Sequence, residues 1–165
     1  MSAVPPLPPP APHRRKFLVV ADSTPECHVA IRFASRRAQH TGGIVTLLYV
    51  VPPADFQQWA GVERAMREEG HQEAERLLHE AAKEVNDIVG SMPELIIREG
   101  RTAEEVRKLI KEDPAISIMV LATGTSTEGP GPLVSVVAGP ASAGYSIPVT
   151  VVPGNLSDEA IDALG

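Results

Sequence analysis

Cysteine is almost missing from this chain: Cys27 is the single thiol in 165 residues. One thiol excludes an internal disulfide framework and a cysteine-based metal cluster, and it fits a reducing, cytoplasmic setting. Concentrated positive charge is missing too. Lysine and arginine number 15 against 21 acidic residues, a formal net charge of -6, and this excludes a general nucleic-acid binder, which must neutralise a phosphate backbone. The nearest approach to a basic patch is His13, Arg14, Arg15 and Lys16, short enough to do no more than solvate the entry to a first strand.

Long apolar runs are also lacking. No segment approaches the ~20 apolar residues that span a bilayer, and the opening MSAVPPLPPPAPHRR lacks the apolar core of a signal peptide, so a soluble protein without membrane partners is expected. Proline fills six of the first twelve positions, which makes residues 1–14 a disordered, extended tail. A ligand for a proline-reading domain is the other reading of that tail.

Catalytic constellations are scarce. There is no G-x-S-x-G elbow, and His71 and His79 stand eight residues apart, too far for an i, i+4 metal pair. No metal site is expected. Cys27 falls near the start of a predicted helix, where a dipole can activate a thiol, but a small packing residue is the simpler reading.

What is present is an alternation of apolar strands and amphipathic helices. KFLVVA (16–21) ends at Asp22 and predicts a first strand, followed by a helix capped by Thr24 with Pro25 in its first turn. Gly42 and Gly43 stop that helix, IVTLLYVV (44–51) is the second strand, and Pro52–Pro53 ends it. A charged helical region runs to Val89, with Ala74, Leu77, Leu78, Ala81, Val85 and Ile88 facing inward. Gly61 and Gly70 weaken its first half, predicting a broken lead-in before about His71. ELIIR (94–98) is the third strand, and Thr102 with Glu105 matches a capping box for the next helix. A fourth strand runs through SIMVLA, a weaker helix starts at Pro132, and PVTVV (148–152) is the fifth strand. Ser157 caps a short tail helix over residues 154–165, whose Ile161 and Leu164 dock on the body or on a partner.

The order βαβαβαβαβ with short connections predicts one α/β domain over residues 15–153: a single five-stranded parallel sheet with helices on both faces. A ligand belongs at its switch point. The fourth strand runs into TGTSTEGPG, where Thr123, Thr125, Ser126 and Thr127 offer hydroxyls and Gly124, Gly129 and Gly131 let backbone amides approach an anion, phosphate by preference. A plain flexible connection is the competing reading.

Taken in order, several of these pieces resemble the universal stress protein family over Lys16 to Pro153: the strand ending at Asp22, LLYVV where the family commonly has LLHVV, the glycine and acidic helix after the third strand, IMVLATGT entering a phosphate loop, and SIPVTVVP closing the sheet. The resemblance implies an adenine nucleotide alpha hydrolase-like, Rossmann-like fold. It implies ATP or AMP as ligand, with Ala21, Asp22 and Ser23 at adenine or ribose, Val50 at the base, and Thr123, Gly124, Thr125, Ser126, Gly129 and Gly131 at phosphate. Family members that bind ATP carry G-x-x-G, nine residues, then G-[ST]. Here Gly124 matches the first glycine, Thr127 replaces the second, and the third falls near Val137 or, counted back from Pro148, at Ser135. The resemblance also implies a homodimer paired through the fifth strand. Three functions follow: a cytoplasmic stress-response module that binds adenine nucleotide weakly without turnover, a nucleotide-independent dimeric interaction protein, and a slow ATPase.

Overall fold

The structure is a computed structural model that describes residues 14–53, 60–124, 134 and 145–165. The predicted N-terminal tail, apart from Arg14, and the helix expected from Pro132, apart from Val134, lie outside the described residues.

Five parallel strands, β1 (Lys16–Val20), β2 (Ile44–Val51), β3 (Glu94–Glu99), β4 (Ile116–Ala122) and β5 (Val149–Val152), form one sheet in the order β3-β2-β1-β4-β5. The chain therefore winds outward to β3, then crosses back over β2 and β1 to place β4, and the switch point falls between β1 and β4. Helices α1 (Cys27–Thr41) and α2 (Ala60–Val89) pack on one face together with the C-terminal helix α4 (Asp158–Leu164). Helix α3 (Thr102–Glu112) packs on the other, where Val134 is also buried.

Because neighbouring strand residues point to opposite faces, both faces of a central strand must be apolar to bury it. In β1, Phe17 and Val19 join Ala34, Leu78 and Val85 on the α1/α2 face, while Leu18 meets Val106, Leu109 and Met119 on the α3 face. The opposite edge of the sheet from the switch-point crevice is tied by Lys16, whose Nζ reaches Asp113 at 2.6 Å and Glu94 at 2.9 Å. These bonds, first to Asp113 and then to Glu94, raise the Lys16 pKa, and the Lys16 ammonium lowers that of Asp113. Lys16 is thus a half-buried clamp rather than a solvating residue of a basic patch.

Three local expectations change. The Thr24 hydroxyl turns back onto Asp22, so Thr24 caps nothing, and α1 begins at Cys27 after a turn closed by Cys27 N–H to the Thr24 carbonyl at 3.2 Å. Thr102 is the first residue of α3 rather than its cap, and the capping box is not made. Glu105 instead pairs with Lys108 at 3.1 Å and Arg98 at 3.7 Å.

Helix α2 runs unbroken from Ala60 through both glycines, against the expected broken lead-in. Gly70 is there for packing: a Cβ at this position would lie 2.7 Å from Val51 Cγ1, so the missing side chain lets α2 approach β2. A Cβ at Gly61 meets nothing within 4 Å. Gly61→Ala is therefore expected to raise stability by about 0.5 to 1 kcal/mol through helix propensity. Gly70→Ala should instead be neutral or destabilising, and Gly70→Leu should cost about 1 to 3 kcal/mol by overpacking. Guanidinium unfolding of the three variants checks the contrast.

Candidate functional site

Register places the expected site residues side by side. Val20 pairs with Leu48 and Val19 with Val120, so continuing both ladders sets Asp22 level with Val50 on one side and with Thr123 on the other. Ala21, Asp22 and Ser23 from the end of β1, Val50 from β2, and Thr123 and Gly124 beyond β4 thus share the carboxyl edge at the switch point, the place where open α/β sheets take ligands. Thr125, Ser126, Gly129, Gly131 and Ser135 lie outside the described residues.

Ala21, Asp22, Val50 and Thr123 already have structural tasks. Ala21 is buried, and its N–H donates to the Leu48 carbonyl at 2.7 Å. Asp22 is exposed, and its Oδ1 accepts from Thr24 N–H at 2.9 Å and from the Thr24 hydroxyl at 2.5 Å, an Asx-type turn that aims the chain into α1. Oδ2 makes no bond within that turn. Ser23 is exposed, and Val50 is half-buried against the α3-side core. Thr123 N–H donates to the Val152 carbonyl at 2.9 Å, and its Oγ1 accepts from Gly154 N–H at 3.0 Å.

Gly154 was not anticipated as part of this region. A Cβ on it would lie 2.0 Å from the Thr123 carbonyl oxygen and 3.0 Å from Glu26 Cβ, so the turn after β5 presses directly on the end of β4. The Pro153-Gly154 pair is a turn signal readable in sequence, but the surface that the turn touches is not.

On the α1/α2 side of the β1 end lies a cavity of about 210 Å³, with Asp22, Cys27, His28, Glu80 and Glu84 among its walls. His28 spans three helices: Nδ1 stands 2.6 Å from Glu84 Oε1 on α2, and Nε2 stands 3.1 Å from Asp158 Oδ1 on α4. Burial pushes the Glu84 carboxyl up, an effect opposed by His28 and Arg32. The carboxylates of this cavity, which Ala21 and Ser23 also line, disfavour phosphate there. Cys27 is buried, with Sγ accepting from Asp22 N–H at 3.5 Å. Burial first, then the carboxylates of Asp22, Glu84 and Glu26, push its thiol up to about 11 against the pull of that N–H. The helix start does not make it a reactive thiolate.

Helix α4 docks on the body. Its Ile161 is fully buried in the α1/α2-side core, Ser157 Oγ caps it by accepting from Ala160 N–H at 3.2 Å, and Asp162 accepts from Arg32 and Arg36. Those two guanidinium groups hold the Asp162 carboxyl far below the usual carboxylate range.

Among solved structures, the universal stress protein UspA from Lactobacillus plantarum is 20% identical with a TM-score of 0.70, the alignment covering 86% of this chain and 99% of that one. A universal stress protein family protein from Arabidopsis thaliana with AMP bound is 15% identical over 88% of this chain and 94% of its own, with a TM-score of 0.57. The universal stress protein from Archaeoglobus fulgidus in complex with dAMP is also 15% identical, over 85% and 98%, with a TM-score of 0.56. Among curated proteins none matches the sequence significantly. At such identities the structural likeness shows the fold alone. The sequence model of the universal stress protein family matches residues 13–153, which takes in every strand of the sheet, and the chain belongs to that family.

Proposed function

We propose that the protein is a cytoplasmic stress-response or regulatory module that binds an adenine nucleotide, ATP or AMP, weakly and without turnover. The observation that supports this most is the alignment of Asp22, Val50 and Thr123 on adjacent strand ends at the switch point. AMP and dAMP in two solved relatives add to it. In this reading Oδ2 of Asp22, which has no hydrogen-bond partner among the described residues, accepts from a ribose hydroxyl beside Ala21 and Ser23, Val50 packs on the base, and Thr123 and Gly124 open the phosphate loop.

Calorimetric titration with ATP, ADP and AMP at about 0.1 mM protein tests it, since affinities of about −5 to −6 kcal/mol are resolved there. Asp22→Asn keeps an acceptor for Thr24 and removes the charge. It is expected to weaken nucleotide binding roughly tenfold, the scale of a charge-assisted hydrogen bond, at nearly unchanged thermal stability. Silence with all three nucleotides overturns the proposal.

A second reading, a dimeric interaction protein that needs no nucleotide, draws on the same site. Asp22 Oδ1 and Thr123 Oγ1 already have partners within the chain, and β5 is an edge strand with Val151 41% exposed. Nucleotide co-purifying with the protein excludes this reading. A strict monomer by light scattering at high concentration removes pairing through β5.

A further inference from the structure

The face of the sheet that carries α1 and α2 is not covered evenly. Toward β5, between α1, β4 and the last turn of α4, lies a second cavity of about 300 Å³. Its floor is Phe17, Ile118, Val120 and Thr150, adjacent in register across β1, β4 and β5. Phe33 and Arg37 form one wall from successive turns of α1, and Leu164 forms the rim, 63% exposed. Its volume falls at the lower end of small-molecule sites, and the lining combines the apolar Phe17, Phe33, Ile118, Val120 and Leu164 with the polar Arg37 and Thr150.

Arg37 supplies the chemical choice. The neighbouring arginines of α1, Arg32 and Arg36, are both bound to Asp162 on α4. Arg37 lines the cavity with no carboxylate paired to it among the described residues. A guanidinium lining a cavity beside such apolar side chains is complementary to a molecule with an apolar body and a carboxylate head, which it can meet with two parallel N–H donors.

We infer that this cavity is a binding site for a small amphipathic carboxylate, its chain lying over Phe17, Ile118 and Val120 and its head paired with Arg37. The site is separate from the switch-point crevice, so the inference holds or fails independently of nucleotide binding.

Titration calorimetry with decanoate below its micelle concentration, and with decanol as the uncharged counterpart, tests the assignment. Decanoate is expected to bind saturably, one per chain, and at least tenfold more tightly than decanol. Arg37→Gln should weaken decanoate tenfold or more and leave decanol unchanged. Thr150→Phe, which fills the chamber from a half-exposed strand position, should abolish both at an unaltered circular dichroism spectrum. No saturable decanoate binding overturns the inference, as does equal affinity for acid and alcohol or an unchanged acid affinity in Arg37→Gln. A dimer that Thr150→Phe dissociates and that decanoate cannot enter overturns it too, because a second copy is then the occupant.

Discussion

Gly154→Ala is expected to destabilise the protein by about 3 kcal/mol or more, at the upper end of overpacking substitutions, although the position is half-exposed and lies outside every helix and strand. The new methyl carbon would sit 2.0 Å from the Thr123 carbonyl oxygen, far inside contact distance, and the obstacle is backbone at the end of a central strand. Relief requires the turn after β5 to lift. That breaks the Gly154 N–H bond to Thr123 Oγ1 and pulls on β5 and on α4, whose Ile161 is buried in the core. Two features separate this mechanism from a generic loop effect. Truncating the neighbouring side chains, in Gly154→Ala/Glu26→Ala or Gly154→Ala/Thr123→Ala, should not restore stability, because neither removes the carbonyl. Hydrogen exchange should speed selectively in β5 and α4. Full rescue by either double variant would show that the contact is side-chain packing instead. Nucleotide titration of Gly154→Ala also reports on the crevice, since the substitution releases the Thr123 hydroxyl from its Gly154 partner without altering Asp22.

The second large effect is alkaline. An unfolded Cys27 thiol ionises near its ordinary value of 9.0, whereas the folded thiol, buried and facing carboxylates, is held to about 11. The folded state therefore grips this proton more tightly, so the contribution is fully present below about pH 9 and is lost as pH rises toward 11. Its size follows from the two values and is about 2 to 3 kcal/mol. Urea unfolding at a series of alkaline pH values should show wild type losing that much more stability than Cys27→Ala over this window. The difference between the two chains cancels the tyrosine and lysine titrations that they share. The same proton affinity should make Cys27 roughly a hundredfold slower toward iodoacetamide at about pH 8 than a thiol of ordinary pKa, since the thiolate is the nucleophile. Ready alkylation in the folded protein would contradict the buried position.

The architecture was legible because its signals are local and redundant. The apolar runs at Lys16, Ile44, Glu94, Ile116 and Val149 each became a strand within a residue or two of its expected limits. Gly42 took the left-handed φ of 72° that stops α1, and Ser157 capped α4 as its position before an acidic turn implied. Where several such signals agree, one fold satisfies them all. The caps at Thr24 and Thr102 misled for a specific reason: a hydroxyl or carboxylate chooses among all partners in reach. Asp22 reached Thr24, and Arg98 and Lys108 reached Glu105.

The candidate site divides the same way. The apolar runs marked Asp22 and Thr123 as the residues that follow two buried strands, and the family resemblance added Val50 near the end of a third. That they stand level on three neighbouring strands depends on the order β3-β2-β1-β4-β5, which the crossover from β3 to β4 creates and which no local pattern encodes. The loop hydroxyls and glycines beyond Gly124 are readable only as composition. Gly70 against Val51, Gly154 against the Thr123 carbonyl, and Arg37 beside Phe17 and Ile118 are products of packing between segments far apart in the chain. Spacing along the sequence decides which residues share a face of one element. Which faces meet is decided only when the whole core closes, because burial energy depends on every partner at once.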